Sequence, residues 1–325
     1  MCFCLMEGCF NMVGKIYDLI ILGAGPSGCS CAIYAKKYKI DFLMISPNIG
    51  GMVNEAHMVD NYLGIPPKEG FKIAKDFESH LNHFGIEPMY DYAKKVSKID
   101  VDGKVLYKVS TSAEDFFTKK VLVAFGQERK KLGVKGEADF LGKGVSYCVT
   151  CDAMFFKDKI VAVVGSDDHA ASGAAHLAQN SAMVHLINPK PHLECKPYWL
   201  EDIKDNPKVK IYNNANLLQI LGDDGHVTRI LIEQSGERQL IDLDGVFIEM
   251  GSVPSVAVIS ELNLKKDKDG FIIVDDEQRT SEKGIYAAGD ITTGSAKFFQ
   301  IITAASEGAV AAFTIFKDLR KDKAE

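Results

Sequence analysis

Cys148-Val149-Thr150-Cys151-Asp152 gathers two thiols and an acid into one short stretch of the chain. The two-residue gap lets both sulfurs close a small disulfide ring, and an adjacent positive group or helix end can hold one of them as the thiolate. Exchange with another disulfide then needs an attacking thiolate, a leaving thiolate and an acid to protonate the departing sulfur, and Asp152 is the nearest acid. Two plainer readings stand beside this one. A zinc site needs two further ligands at matching spacing, and the chain has no second CxxC and no CxxH. A structural thiol pair needs nothing more. A second set of residues is suited to a nucleotide. Gly23, Gly25 and Gly28 form a GxGxxG, in which the first glycine permits a tight turn, the second lets a pyrophosphate approach the backbone and the third lets a helix pack close to a strand.

Such groups work only when the right elements place them. The apolar run 16–22 ends in Gly23 as a buried parallel strand does; Ala32, Ile33, Ala35 and Tyr38 then lie on one face of a helix, and 40–45 reads as a second strand. This βαβ unit puts the GxGxxG at a helix N-terminus, whose free N–H groups and partial positive charge favour phosphates. The pattern returns with a strand at 159–164, a helix at 169–180 and a strand at 183–187, which predicts two related nucleotide-type domains. Further on, strands are expected at 271–274 and 284–287 and a last helix at 298–319, a closing segment too small to stand alone that returns to complete the first domain. Ser46 ends the second strand where an acid for ribose hydroxyls is expected. Residues 284–290, Gly-Ile-Tyr-Ala-Ala-Gly-Asp, form a strand running into a turn that sets Asp290 against a polyol, which points to FAD and its ribityl chain.

A length of 325 residues predicts about two domains with ample cores. Hydrophobic residues at 46% and charged residues at 25% are those of an ordinary globular chain, not a disordered or collagen-like one. With 38 basic against 44 acidic residues and a net charge of -6, no basic field is available for nucleic acid. Glu7, Lys15 and Asp18 interrupt the most apolar N-terminal stretch, so no membrane span is expected, and the start lacks a secretory n-region. We therefore expect a reducing cytoplasm. Of the other cysteines, Cys2, Cys4 and Cys9 precede the first strand in an extension, Cys29 and Cys31 fall in an Ala-rich helix and Cys195 stands alone; all six read as inert small residues.

In this order, Gly23-Ala24-Gly25-Pro26-Ser27-Gly28, Gly50-Gly51-Met52, Asp60-Asn61-Tyr62-Leu63-Gly64, Ala124-Phe125-Gly126, Cys148 to Asp152, Gly284 to Asp290, and Gln300 before an Ala-rich helix resemble the low-molecular-weight thioredoxin reductases, from about Lys15 onward. The resemblance implies an α/β fold of two Rossmann-like three-layer domains, the second inserted in the first. An FAD domain would take 12–128 plus 250–325, the insert 129–249, and 1–11 would be an extension. It implies a homodimer acting on thioredoxin or a similar small dithiol protein. Cys151 would lie next to the flavin, Cys148 would attack the partner disulfide and Asp152 would be the acid. The implied FAD site comprises Gly23, Gly25, Pro26, Ser27, Gly51, Met52, Asn61, Ala124, Gly126, Gly289, Asp290 and Gln300, with backbone N–H groups near Ile301 facing the flavin. The family also rotates its two domains during turnover.

In that family the insert binds NADPH through a GxGxxA. Here the stretch is Gly165-Ser166-Asp167-Asp168-His169-Ala170, so Asp167 replaces the middle glycine with Asp168 beside it. Two unit charges at about 4 Å repel by roughly 4 kcal/mol at an effective dielectric of about 20, close to three decades of affinity. The arginines expected to grip the 2′-phosphate are replaced by Asn188-Pro189-Lys190 and Glu194, and lysine lacks arginine's bidentate fork. NADPH is thus doubtful as the donor, and relatives that use reduced ferredoxin or deazaflavin offer the alternative; no iron–sulfur cysteine spacing is present. A variant NAD(P)H site, a flavin dithiol oxidase, a ferredoxin-NADP-type reductase and a non-turnover redox sensor are the competing readings.

Overall fold

The computed structural model describes residues 14–56, 59–101, 103–223 and 225–324; the side chains of Glu55, Thr150 and Cys151 lie outside it. The extension with Cys2, Cys4 and Cys9 is outside the described residues too. Two compact units result. The chain passes from the first to the second between Gln127 and Glu128 and returns between Val253 and Pro254.

The first unit opens with β1 (Ile16–Ala24), α1 (Pro26–Lys37) and β2 (Phe42–Ile49), followed by α2 (Gly70–His83) and strands β3 (Lys95–Val101), β4 (Lys104–Ser110) and β5 (Asp115–Val123). Leu19, Ile20, Ile21 and Leu22 are wholly buried because β1 is covered on both faces. Leu19 and Ile21 pack on the helical side with Ala32, Ala35, Ala311 and Ile315, while Ile20 and Leu22 pack on the other side with Val109, Ile259 and Ile272. Such continuous apolar runs are what a parallel strand with two covered faces requires. β1 lies between β2 and β5, parallel to both.

A short strand β6 (Gln127–Arg129) leads into the second unit. Its elements are β7 (Val145–Ser146), α3 (Val149–Asp152), β8 (Ile160–Val164), α4 (Asp168–Asn180), β9 (Met183–Asn188), α5 (Pro197–Lys204), β10 (Val209–Asn213), the strands β11 (Ala215–Asp223), β12 (His226–Gln234) and β13 (Glu237–Asp242), and β14 (Gly245–Ile248). A parallel sheet in the order β10-β9-β8-β14-β7 is flanked by α4 on one face and by the antiparallel β11-β12-β13 meander on the other. Alternation along β8 serves both faces: Val161 and Val163 meet the helix, and Ala162 and Val164 meet the meander.

β15 (Ser252–Pro254) returns the chain, and β16 (Ile285–Ala287) joins the first sheet beside β5 before α6 (Ile301–Asp322). Two expectations need correction. The strand at 271–274 does not form: Ile272 makes only isolated bridges to Lys266 and Thr292. It is squeezed between tight turns, one through Gly270 (φ +91) and one through Gln278 (φ +62) held by the Asp275 carboxylate, which leave too little extended chain for a ladder. The last helix starts at Ile301 rather than at 298, because Gln300 is extended as its N-cap and its N–H bonds to the Thr303 hydroxyl (3.1 Å). The β3–β4 hairpin and the meander were not anticipated.

Candidate active site

The GxGxxG turn is built as its glycines require. A Cβ on Gly23 (φ +107) would lie 2.4 Å from Ala124 O, and one on Gly28 would lie 1.9 Å from Gly23 O, so the turn closes on β5 and α1 seats on β1. Gly25 differs: a Cβ there meets nothing within 4 Å. It is the N-cap of α1, with no side chain capping the helix and Pro26 at its first position. Gly51 (φ +54) comes up to it, its Cβ position 3.5 Å from Gly25 Cα, and Met52 follows in a 3-10 turn. Gly126 (φ +65) turns the chain just after β5, again over open space. Ser46 fills the place of the missing acid differently: its hydroxyl accepts from Ala24 N (3.1 Å) and donates to Asn48 O (2.7 Å), pinning the turn rather than a ribose.

The closing segment completes this side of the first unit. Gly289 (φ +82) stands over α1, where a Cβ would lie 2.7 Å from Ser27 Oγ, and Gly308 of α6 approaches Ser27 as closely. Asp290, next in the chain, is half-buried and its carboxylate meets no hydrogen-bond donor among the described residues. Burial, with the Glu307 carboxylate adding to it, pushes Asp290 up to about 6. Asn61 Nδ2 donates to Gln300 Oε1 (2.9 Å), joining residues 239 apart in sequence, and Ile301, the first residue of α6, packs with Val53, Val59 and Ile73. An uncapped helix start over a bare glycine and an unsatisfied carboxylate beside it fit FAD, the first for its pyrophosphate and the second for a ribityl hydroxyl. One residue of this cluster was missed. Glu307 is 6% exposed, and its carboxylate accepts from Gly289 N (2.7 Å) and from Ser295 Oγ (2.6 Å), with Thr292 Oγ1 at 3.2 Å. An acid at an interior-facing position of an otherwise Ala-rich helix is the signal that marks it.

In the second unit the cysteine pair brackets the start of α3, Cys148 just before it and Cys151 within it. Cys148 is disulfide-bonded; Cys151 lies in the same turn, its side chain outside the described residues. Asp152 is partly buried and donates its N–H to Cys148 O (3.2 Å). Ser146 Oγ accepts from Cys148 N (3.0 Å). Tyr147 donates to Glu137 Oε1 (2.5 Å), and that buried carboxylate also takes the N–H groups of Leu132 (2.9 Å) and Gly133 (2.6 Å). Met154 and Phe155, just beyond, are exposed.

The turn after β8 has the form of the turn after β1 and different contents. Asp167 is the N-cap of α4, and its Oδ1 accepts from His169 N (3.0 Å) and Ala170 N (3.3 Å). The repulsion of a pyrophosphate expected from the two neighbouring acids is thus corrected in kind: Asp167 folds back onto the N–H groups such a ligand would use. Asp168 turns to Lys196, accepting from its N–H (2.7 Å) and pairing with its Nζ (3.4 Å). The segment after β9 is drawn onto the turn by Glu194 N donating to Ser166 O (2.7 Å), and Lys190 pairs with Glu194. Asn188 is buried and donates to Asn213 Oδ1 (2.8 Å).

Of the other cysteines, burial pushes the Cys29 thiol up to about 12 and Cys31 higher still, so neither forms a thiolate. Cys195 is partly exposed; desolvation and the charge of Asp168 raise it as well.

Residues 17–308 match the family described as pyridine nucleotide-disulphide oxidoreductase. The thioredoxin reductase of Listeria innocua is 34% identical over 301 residues, 91% of this chain and 92% of that protein. Among solved structures, Lactococcus lactis thioredoxin reductase superposes with a TM-score of 0.83 at 28% identity, covering 94% of this chain and 99% of the other. A ferredoxin-flavin thioredoxin reductase from Clostridium acetobutylicum does so with a TM-score of 0.51 at 29% identity, covering 94% and 98%. The chain belongs to the pyridine nucleotide-disulphide oxidoreductase family, among its thioredoxin reductases, and is an oxidoreductase acting on sulfur groups.

Proposed function

We propose that this flavoprotein reduces the disulfide of thioredoxin or a similar small dithiol protein, and that its electron donor is not NADPH but reduced ferredoxin or a reduced deazaflavin. The observation that carries the donor half is the Asp167 carboxylate bonded to His169 N and Ala170 N: the phosphate-binding end of α4 already holds an anion that belongs to the chain. Similarity to the ferredoxin-flavin thioredoxin reductase of Clostridium acetobutylicum supports the same reading.

FAD, when bound, supplies two-electron exchange between the donor and the cysteine pair. Gly25 and the start of α1 would take its pyrophosphate, Asp290 the ribityl chain, and Gly51, Met52, Asn61, Gln300 and the first N–H groups of α6 at Ile301 the rest. In the second unit, two electrons and two protons open the disulfide of the pair to a dithiol. Cys148, as the thiolate, then attacks the partner disulfide, and the leaving thiolate takes a proton for which Asp152 is the acid. Cys151 attacks Cys148 in turn, which releases the partner as a dithiol and restores the disulfide of the pair. Exposed Met154 and Phe155 give a small protein an apolar surface beside that exchange. We read the working form as a cytoplasmic homodimer, on the family resemblance.

An anaerobic titration of the holoprotein with NADPH, NADH, reduced ferredoxin and reduced deazaflavin tests the donor. Stoichiometric NADPH is expected to leave the flavin oxidised; rapid bleaching by it would return the chain to the NADPH-dependent reading. Full reduction of thioredoxin by a Cys148→Ser, Cys151→Ser double variant would sink the exchange.

A further inference from the structure

Between Asp290 and Ile301 the chain follows a path that its own backbone resists. Ser295, Ala296 and Lys297 all have φ near +50 to +60 (48, 52 and 59), a left-handed region that crowds the Cβ of any residue but glycine. Something must hold the segment there. On its far side Lys297 pairs with Asp267 (2.5 Å) and Asp269 (2.9 Å) and lies over the Phe271 ring at 4.7 Å. On its near side the holder is Glu307, which takes the Ser295 hydroxyl on Oε1 and the Gly289 N–H on Oε2. Gly294 closes against the same carboxylate, where a Cβ would lie 2.6 Å from Oε1. The Thr292 hydroxyl shares its proton between Glu307 and Gly289 O (3.0 Å) and accepts from Gly294 N (3.0 Å).

One buried carboxylate therefore ties both ends of the 289–295 loop to the helix that begins at Ile301. We propose that Glu307 is a positioning residue of the flavin site: it fixes the turn that carries Asp290 and the start of α6 in one geometry, so that both meet FAD together. It acts through Asp290 and the loop and does not touch the cofactor. A carboxylate suits this role because its two oxygens accept two donors arriving from opposite ends of the loop. An amide can do the same only if the Ser295 hydroxyl turns to accept from the amide nitrogen while the oxygen keeps Gly289 N–H.

The proposal rests on the FAD assignment and is independent of the donor and of thioredoxin. Its test is FAD affinity of the apoprotein, read by quenching of flavin fluorescence on titration, with circular dichroism and melting to confirm folding. Glu307→Ala is expected to weaken FAD by about 30-fold, the order expected when a charged acceptor is removed from buried donors, and Glu307→Gln to recover to within about 3-fold of the parent. In an Asp290→Ala background the cost of Glu307→Ala should shrink to less than about 3-fold, because the two act in series. Ser295→Ala, which leaves Glu307 and the fold in place, should cost about 5-fold and so reports even where Glu307→Ala does not fold. Unchanged FAD affinity in folded Glu307→Ala, an undiminished cost in the Asp290→Ala background, or a Glu307→Gln variant no better than Glu307→Ala would each overturn the proposal. A parent chain that binds no FAD at all would instead overturn the flavin reading beneath it.

Discussion

At the ends of both β1 and β8 stands a glycine that admits no side chain, Gly23 and Gly165, and each strand hands the chain to a helix beneath a covered parallel sheet. After β1 the N-cap is Gly25, bare and facing open space, so the first N–H groups of α1 are left for a ligand. After β8 the N-cap is Asp167, and the equivalent groups of α4 are consumed. A capping carboxylate stabilises a helix by about 1 kcal/mol, and the same two bonds remove the place where a pyrophosphate would sit. The difference teaches that a nucleotide turn is a helix start deliberately left unsatisfied. Where the chain supplies its own anion, the fold persists while the first N–H groups of the helix are already bonded.

Exchanging the two caps should exchange the two properties. Gly25→Asp fits the open space around that position, and it is expected to raise apoprotein stability by roughly 0.3 kcal/mol, glycine being already a fair N-cap, while lowering FAD affinity by about three decades. The purified variant should be colourless, and a yellow protein with parental flavin content would break the comparison. In the opposite direction, Asp167→Gly with Asp168→Ser should cost the second unit about 1 kcal/mol of stability and raise NADPH affinity by tens of fold, read by calorimetry. Affinity stays below that of a complete site because no arginine follows β9.

Asp290 sharpens the comparison from the side of the flavin turn, where a carboxylate is held unsatisfied at a cost. Its proton is bound more tightly in the folded apoprotein, at about 6, than in the unfolded chain, near 3.8. The folded state therefore takes up the proton first as pH falls. The apoprotein should gain stability between pH 7 and pH 4 from this group, by at most about 3 kcal/mol, and lose it again as pH rises through 6. Asp290→Asn should flatten that part of the pH–stability curve, make the apoprotein more stable at pH 7 and weaken FAD by about tenfold. A pH profile unaltered by the substitution would contradict the assignment. The smallest effect is expected at Cys195, the most exposed of the described thiols outside the pair: Cys195→Ala should leave disulfide reduction within about twofold, since its thiol is raised and does not attack at neutral pH.

The candidate site residues were legible as motifs because their signals are local. Cys148 to Asp152, the three glycines after β1 and the Gly289-Asp290 turn each declare themselves within a few positions. Both βαβ units were legible for the same reason, a buried apolar run followed at once by a helix. What stayed hidden depends on pairing at a distance. The meander β11 to β13 and the β3–β4 hairpin are half-exposed strands whose mixed polar and apolar residues resemble loop sequence until a partner strand is present. The strand expected at 271–274 shows the converse, an apolar run that two flanking turns deny a partner. At the second turn the sequence showed that acids had arrived and suggested repulsion. Only the folded backbone shows Asp167 spending its oxygen on His169 and Ala170.

By itself, then, the sequence determined the family, the redox pair and the two nucleotide-type turns, because chain-local geometry and residue chemistry suffice for those. Tertiary structure decided which groups meet: Asn61 with Gln300, Gly289 over Ser27, and Glu307 holding a loop that begins 18 residues before it. The physical reason is that a hydrogen-bonding group is defined by its partner. A carboxylate written in a sequence is only a charge, and burial against particular donors makes Asp167 a plug, Asp290 an open acceptor and Glu307 a clasp.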